Sequence, residues 1–385
     1  MRLIINAIPI APGGGLSVLV GLLEGWRRIN AAIEPVVLVG KSATLGILRD
    51  AIPTVRVEPL LLDQGPSKQL LWQLARLGPR LRGLRPDVLL SNNLYIPRAP
   101  CPQVVHHQDM LRFMHKRLWS YFTKLPPSKL AWQAVLARHS LTRANANVFI
   151  SDFIRRAAES LVPACAGRNV TIYNGVYNEY LDVARAGTGV ERDPWLLSTI
   201  SGPQPHKDNE TLLRAFAEIC RREPHGRWRL QILGPSDWSR WQVFANQLGI
   251  GQNVQLLGYH DRMGVIRVLA RSACLLFTSR VEGFGLPIIE AMACGCPVVA
   301  SDVAAIPEVG GQAVVLARPG EPESFAQKVL EIVRDPVRQE ALSRAGRAWA
   351  GRFSWDRSAR TFEECLHAVV EERPLPCSWT AKEEP

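Results

Sequence analysis

Short apolar runs alternate with stretches of helical periodicity along the whole chain, the pattern of buried parallel strands linked by helices. In the first half the runs fall at 3–8, 35–39, 87–91, 103–107, 148–151 and 170–173. In the second they fall at 195–201, 229–234, 254–257, 274–279, 297–301 and 313–316. After the run at 195–201, Leu212, Leu213, Phe216 and Ile219 share one helical face, with Asp208 or Asn209 placed to cap it. Further helices are predicted over 323–333, 336–349 and about 355–372, and the tail after Pro374 reads as frayed.

Turn chemistry gathers between the two series, at Asn174-Gly175-Val176 and Gly187-Thr188-Gly189. The pattern therefore predicts an α/β chain of two Rossmann-like, doubly wound domains that face each other across a cleft. Their bounds are 1–180 and 190–355. A helix at 356–372 is free to cross back to the first domain, and 373–385 is left as a tail.

Composition narrows the classes. The chain has 385 residues, 47% hydrophobic and 21% charged, which excludes disordered and collagen-like chains. Lys and Arg number 46 against 35 Asp and Glu, and the net +11 calls for an anionic partner. The eight cysteines form no C-x-x-C pair, so a reduced cytoplasmic protein is expected. Cys294 and Cys296 flank Gly295 but have no further ligands to make a metal cage, and read as core residues at a helix end. The apolar start is broken by Pro9, Pro12 and Gly13 to Gly15, so it reads as a first strand and not a signal peptide. No run approaches the roughly 18–20 apolar residues of a membrane span.

The segment with most chemistry runs from Ser279 to Ser301. A strand ends in a loop holding Glu282, Gly283, Phe284 and Gly285; Leu286 and Pro287 open a helix, and Gly295 ends it. A helix that starts at a glycine loop offers unpaired N–H groups and a positive dipole end, which suits a diphosphate. Glu290, one turn inside, has two acceptor oxygens for the hydroxyls of a ribose, and Glu282 can reach a second hydroxylated group. Taken singly, Glu290 reads more readily as a complement to the helix dipole, and Glu282 as a solvated loop charge, than as site residues.

The string Glu282-Gly-Phe-Gly-Leu-Pro-x-x-Glu290-Ala-Met-Ala-x-Gly-x-Pro-Val-Val-Ala-Ser resembles the E-x7-E signature of retaining glycosyltransferases of GT-B fold, in the large GT4 family. Ala304-Ala-Ile-Pro-Glu308 continues the pattern, with Gln312 where the family usually has Asp. Ile200 to Phe216, through His206 and Lys207, looks like the family's phosphate-binding loop and helix. The resemblance implies that Glu290 binds the nucleotide ribose. It brings Glu282 and the Gly283, Phe284, Gly285 and Leu286 backbone to the sugar and diphosphate, and sets Lys207 to neutralise the leaving phosphates. Pro203 and His206 stand where many relatives carry an Arg, so His206 or Arg280 is the candidate replacement.

In the first domain Gly14 and Gly15, after Pro12-Gly13, look like the family's glycine loop at the donor. Gln103-Val-Val-His106-His107-Gln108-Asp109 falls where relatives carry a His-Asp pair near the transferred sugar. Strict register puts Gln108 at the His position, and His107 is the chosen hydrogen-bond partner.

The resemblance implies transfer of a sugar from a nucleotide-sugar co-substrate to a carbohydrate or lipid-linked hydroxyl, in the setting of cell-surface glycan assembly. No Asp-x-Asp pair is present, and no metal or other cofactor is expected. Residues 98–156 hold ten Lys/Arg against two Asp, with Trp119, Tyr121, Phe122 and Trp132 among them. Such a mixture suits a helix on an anionic membrane at the inner face, or else an ordinary solvated basic face. A nucleic-acid partner is not expected, because no reading motif accompanies the charge. Two rival readings share the fold: an epimerase or phosphorylase acting on related substrates, and a catalytically silent nucleotide-binding relative.

Overall fold

The computed structural model describes residues 1–60, 62, 65–109, 113, 127–185, 191–234 and 238–378. They fall into two compact units: the residues up to Gly175 together with those from Ser354 onward, and Val176–Phe353.

The first unit is built on strands β1 (Arg2–Asn6), β2 (Glu34–Val39), β3 (Arg56–Pro59), β4 (Val88–Asn92), β5 (Gln103–His107), β6 (Ala146–Phe149) and β7 (Asn169–Thr171). They form a seven-stranded parallel sheet in the order β3-β2-β1-β4-β5-β6-β7. Central positions such as Leu3, Ile4, Val37, Leu89 and Val104 are fully buried, as a sheet covered on both faces requires. The hydrophobic pattern does not mark β3. It is an edge strand reading Arg-Val-Glu-Pro, exposed at its two ends and fully buried at no position, where charge and Pro are tolerated.

The last long helix, Trp355–Val370, belongs to this first unit and packs on the Gly14–Arg28 helix. Close approach is set by glycines: a Cβ at Gly21 would lie 2.2 Å from the Trp355 ring, and one at Gly25 would lie 2.6 Å from the Trp355 carbonyl oxygen. Trp26 Nε1 donates to the Ala359 carbonyl at 3.0 Å, and Arg28 Nε to Asp356 Oδ1 at 2.6 Å. Beyond this helix the chain stays tied as far as Ser378, whose Oγ accepts from the Thr171 N–H of β7 at 3.0 Å.

The second unit carries β8 (Asp193–Ile200), β9 (Arg229–Leu233), β10 (Val254–Gly258), β11 (Ser272–Phe277), β12 (Val298–Ser301) and β13 (Val314–Ala317). Its sheet is also parallel, in the order β10-β9-β8-β11-β12-β13. In each sheet the strand order reverses once, between β1 and β4 and between β8 and β11. Chain leaving two such strands departs to opposite faces and opens a crevice at their carboxyl ends, where ligands of open α/β sheets bind. The loop after β8 contains Lys207 and the loop after β11 contains Glu282.

Candidate active site

Strand β11 is buried at all six positions and delivers the chain into the 278–285 loop. Gly285 ends that loop with φ 93°, a left-handed conformation that favours glycine, and is the N-cap of the Leu286–Ala293 helix. No side chain caps this N-terminus, and Pro287 occupies its first turn. The other end closes tightly: Gly295 has φ 71°, its N–H donates to Met292 O at 2.9 Å, and Cys296 N–H donates to Ala291 O at 2.8 Å. Cys294 and Cys296 beside it are buried, and burial pushes both thiols up, Cys296 to about 11, which makes them inert core groups.

The loop is sewn to the short turn Pro205–Lys207 that follows β8. Thr278 Oγ1 donates to the carbonyls of Lys207 and Asp208, each at 3.2 Å, and Arg280 N–H donates to His206 O at 2.7 Å. Lys207 Nζ meets Glu282 Oε1 at 2.6 Å, and its ammonium stands 5.5 Å from the centre of the Phe277 ring. Arg280 is committed elsewhere, with Nε 2.7 Å from Asp208 Oδ2. Asp208 in turn caps the Asn209–Arg222 helix, accepting from Thr211 Oγ1 at 2.7 Å. Structure therefore joins His206, Lys207 and Glu282 at the mouth of the uncapped helix, and it engages Arg280 with a capping carboxylate. Nothing in the local sequence of Arg280 signals that partner.

Glu290 sits one turn inside the helix. It is crowded by protein yet keeps a partly accessible surface, the mark of a group in a recess. Burial pushes its carboxyl up to about 7, against the charge of Arg262 and a hydrogen bond with Tyr180. Among the described residues no three His, Cys, Asp or Glu side chains gather as metal ligands.

The family model described as glycosyl transferases group 1 matches residues 183–349, nearly the whole of this unit. The second unit is thus similar to the glycosyl transferases of group 1. The O-antigen chain mannosyltransferase B of Escherichia coli is 28% identical over 325 residues, 78% of this chain and 78% of that protein. The D-inositol 3-phosphate glycosyltransferase of Segniliparus rotundus is 33% identical over 183 residues, 46% of this chain and 40% of its own. The chain thus spans most of the first relative's length and less than half of the second's. HepE of Anabaena, solved in complex with UDP and glucose, has the same fold, with a TM-score of 0.73 at 20% identity over 96% of this chain and 100% of that one. The fold is accordingly GT-B, with two parallel α/β sheets.

The first unit holds the remaining expected residues. Gly13, with φ 134°, precedes the Gly14–Arg28 helix, and a Cβ at Gly13 or Gly14 would meet nothing within 4 Å. Internal packing therefore does not explain the glycine at 14, which costs helix stability. A Cβ at Gly15 would lie 3.4 Å from Gln108 Oε1.

His107 is a different matter. Its ring has no accessible surface; it stacks on Phe149 at 4.8 Å, and its Nε2 lies 3.1 Å from Asn147 Oδ1. The sequence expectation that His107 meets sugar or acceptor has no support in this packing, because β5 turns the residue into the core. His106 is buried as well, and burial and then the charge of His107 hold its imidazole down at about 3. Gln108 and Asp109, just after β5, both keep accessible surface. Gln108 is held in place. Its amide nitrogen lies 3.1 Å from His106 Nδ1 and 3.3 Å from Asn92 Oδ1, which leaves Oε1 as the group beside Gly15.

Proposed function

We propose that this glycosyl transferase takes its sugar from a nucleoside diphosphate donor and passes it to a hydroxyl acceptor with retention of anomeric configuration. The observation that carries the reading is the Lys207–Glu282 pair at the switch point of the second sheet, at an uncapped helix N-terminus. A diphosphate arriving there competes for the Lys207 ammonium. Glu282, released, becomes an acceptor for a sugar hydroxyl, so one exchange couples phosphate and sugar recognition.

As the glycosidic bond breaks, negative charge grows on the diphosphate. Lys207 and the N-terminus of the Leu286–Ala293 helix stabilise it, and the leaving oxygen takes the acceptor's proton on the same face. Glu290 holds the ribose. These fixed positive groups do the work a cation would otherwise do, so no metal is required.

The acceptor is proposed to be a carbohydrate or lipid-linked hydroxyl at the cytoplasmic face of a membrane. The unpaired state of all eight cysteines fits a reducing compartment. The Pro127–Arg143 helix exposes Trp132 and Val135 together with Arg138, an apolar and basic face suited to anionic lipid. Arg112, Lys116, Arg117, Lys124, Trp119, Tyr121 and Phe122 of the same basic stretch lie outside the described residues. Among the described residues no helix is long and apolar enough to cross a membrane.

Thermal shifts with UDP, GDP and ADP, followed by incubation with the matching radiolabelled nucleotide sugars, test the donor. Stabilisation by one nucleoside diphosphate and slow release of labelled sugar are expected. No shift with any of them counts against the reading.

A further inference from the structure

Between Gly65 and Pro86 the chain carries five cations, Lys68, Arg76, Arg80, Arg82 and Arg85, and no Asp or Glu. In the first unit this stretch is one run of helical turns: Pro66–Trp72, a wider π turn over Gln73–Leu77, then Gly78–Leu81 and Arg82–Leu84. Its inner face is fixed. Leu77 and Leu81 are fully buried, and Leu70, Leu74 and Leu84 pack beside them on the core cluster that holds Ile4, Val36 and Leu89. Gln73 is pinned to the sheet, its Oε1 accepting from Asn6 Nδ2 at 2.9 Å.

The outer face is uncommitted. All five cations are exposed, and Leu71 among them keeps 64% of its surface accessible. Exposed arginines on other helices have carboxylate partners: Arg156 meets Asp152 at 3.3 Å, and Arg214 meets Glu210 at 3.0 Å. Among the described residues none of these five has one. Arg76 and Arg80, four positions apart, repel each other and weaken the helix that carries them. The fold gains nothing from this arrangement; an anionic partner would. Leu71 decides the kind of partner. A large apolar side chain among cations suits a surface with anionic head groups above acyl chains, whereas a polyanion in solution would leave it in water. The Pro127–Arg143 helix points the same way. Its Leu136 packs in the same core cluster, whose Ile4, Val36 and Leu89 are register partners on one face of the sheet. Leu71 and the exposed Trp132 and Val135 therefore belong to helices on the same side of that sheet.

We propose that the outer face of residues 66–85 is a docking surface for an anionic lipid bilayer, with Leu71 entering the head-group region and the five cations meeting lipid phosphates. The proposal rests on the membrane reading of the acceptor above. It adds a second contact beside the Pro127–Arg143 helix, and two linked weak contacts hold far better than one.

The test is sedimentation of the full chain with vesicles of phosphatidylcholine alone or mixed with phosphatidylglycerol. Wild type should sediment with the mixed vesicles only. Arg76→Gln with Arg80→Gln and Arg82→Gln should lower partitioning about a hundredfold, at roughly fivefold per charge, and flatten its salt dependence. Lys68→Gln with Arg85→Gln is an independent pair and should cost about twenty- to thirtyfold. Leu71→Ser should cost about five- to tenfold and leave the salt dependence unchanged. All six positions are exposed, and thermal midpoints matching wild type show that each variant folds. Wild-type binding by both charge variants, while Trp132→Ser with Arg138→Glu releases the protein, would leave the membrane reading standing and overturn this surface. Loss in the charge variants with none in Leu71→Ser would mean a face for polyanions in general, and overturns the assignment to lipid. If wild type sediments with neither kind of vesicle, the membrane reading fails on its own account and this proposal with it.

Discussion

Lys207 Nζ and Glu282 Oε1 stand 2.6 Å apart, although 75 positions separate the residues in the chain. Their side chains keep only 21% and 14% of their surface accessible, so the cost of desolvating both charges offsets much of the attraction between them. The pair's importance is that each charge is held where a ligand can claim it.

Lys207→Ala is therefore expected to lower turnover about a hundredfold while donor KM changes only a few-fold, because the charge matters most as the diphosphate leaves. Steady-state kinetics decide it. Equal losses in turnover and affinity would place Lys207 in ground-state binding alone.

Glu290→Gln should make the protein more stable at alkaline pH and a poorer nucleotide binder. A carboxyl raised from 4.5 to about 7 gives stability that is full below pH 4.5 and is lost as pH rises through 7. Glutamine does not ionise, so at pH 8.5 the variant should gain roughly 1–3 kcal/mol over wild type and none at pH 4.5. Thermal denaturation at the two pH values measures it; a gain that is the same at both would remove ionisation as the cause.

Gly21→Ala should destabilise the first unit by about 1–3 kcal/mol or more, since the new methyl lands on the Trp355 ring. Gly46→Ala is the control. It lies inside the Ser42–Ala51 helix with nothing within 4 Å of its Cβ position, and is expected to be neutral or to stabilise by up to about 1 kcal/mol. Urea unfolding of both variants should separate them; matching midpoints would contradict the close approach of the two helices.

Transfer activity should survive EDTA, given that Lys207 and the helix N-terminus supply the positive charge. Loss on chelation with recovery on adding manganese would overturn this.

The protein should sediment with anionic but not neutral vesicles, less so as salt rises. Trp132→Ser with Arg138→Glu should release it while donor affinity is unchanged. Sedimentation with both kinds of vesicle would point to apolar adsorption, and with neither to an acceptor in solution.

Much of the architecture is legible before folding because buried parallel strands must be apolar on both faces, which prints short continuous runs on the chain. Gly285, Pro287 and Gly295 likewise announce the helix at the site, since local backbone geometry demands them. The edge strand β3 escapes this logic, having no fully buried position and being free to carry Arg56 and Glu58. The roles of His107, Arg280 and Glu290 were open for a different reason. Whether an imidazole meets a ligand or stacks on Phe149, and whether Arg280 is left to a phosphate or taken by Asp208, depends on residues far away in the chain. The same holds for Glu290, whose ionisation is set by burial among side chains distant in sequence. Residue type and spacing determined where strands, turns and an anion-receptive helix would form, because those follow from local geometry and the period of burial. Tertiary structure alone decided which polar side chains are occupied and which are left facing a ligand, because desolvation and pairing act through space and not along the chain.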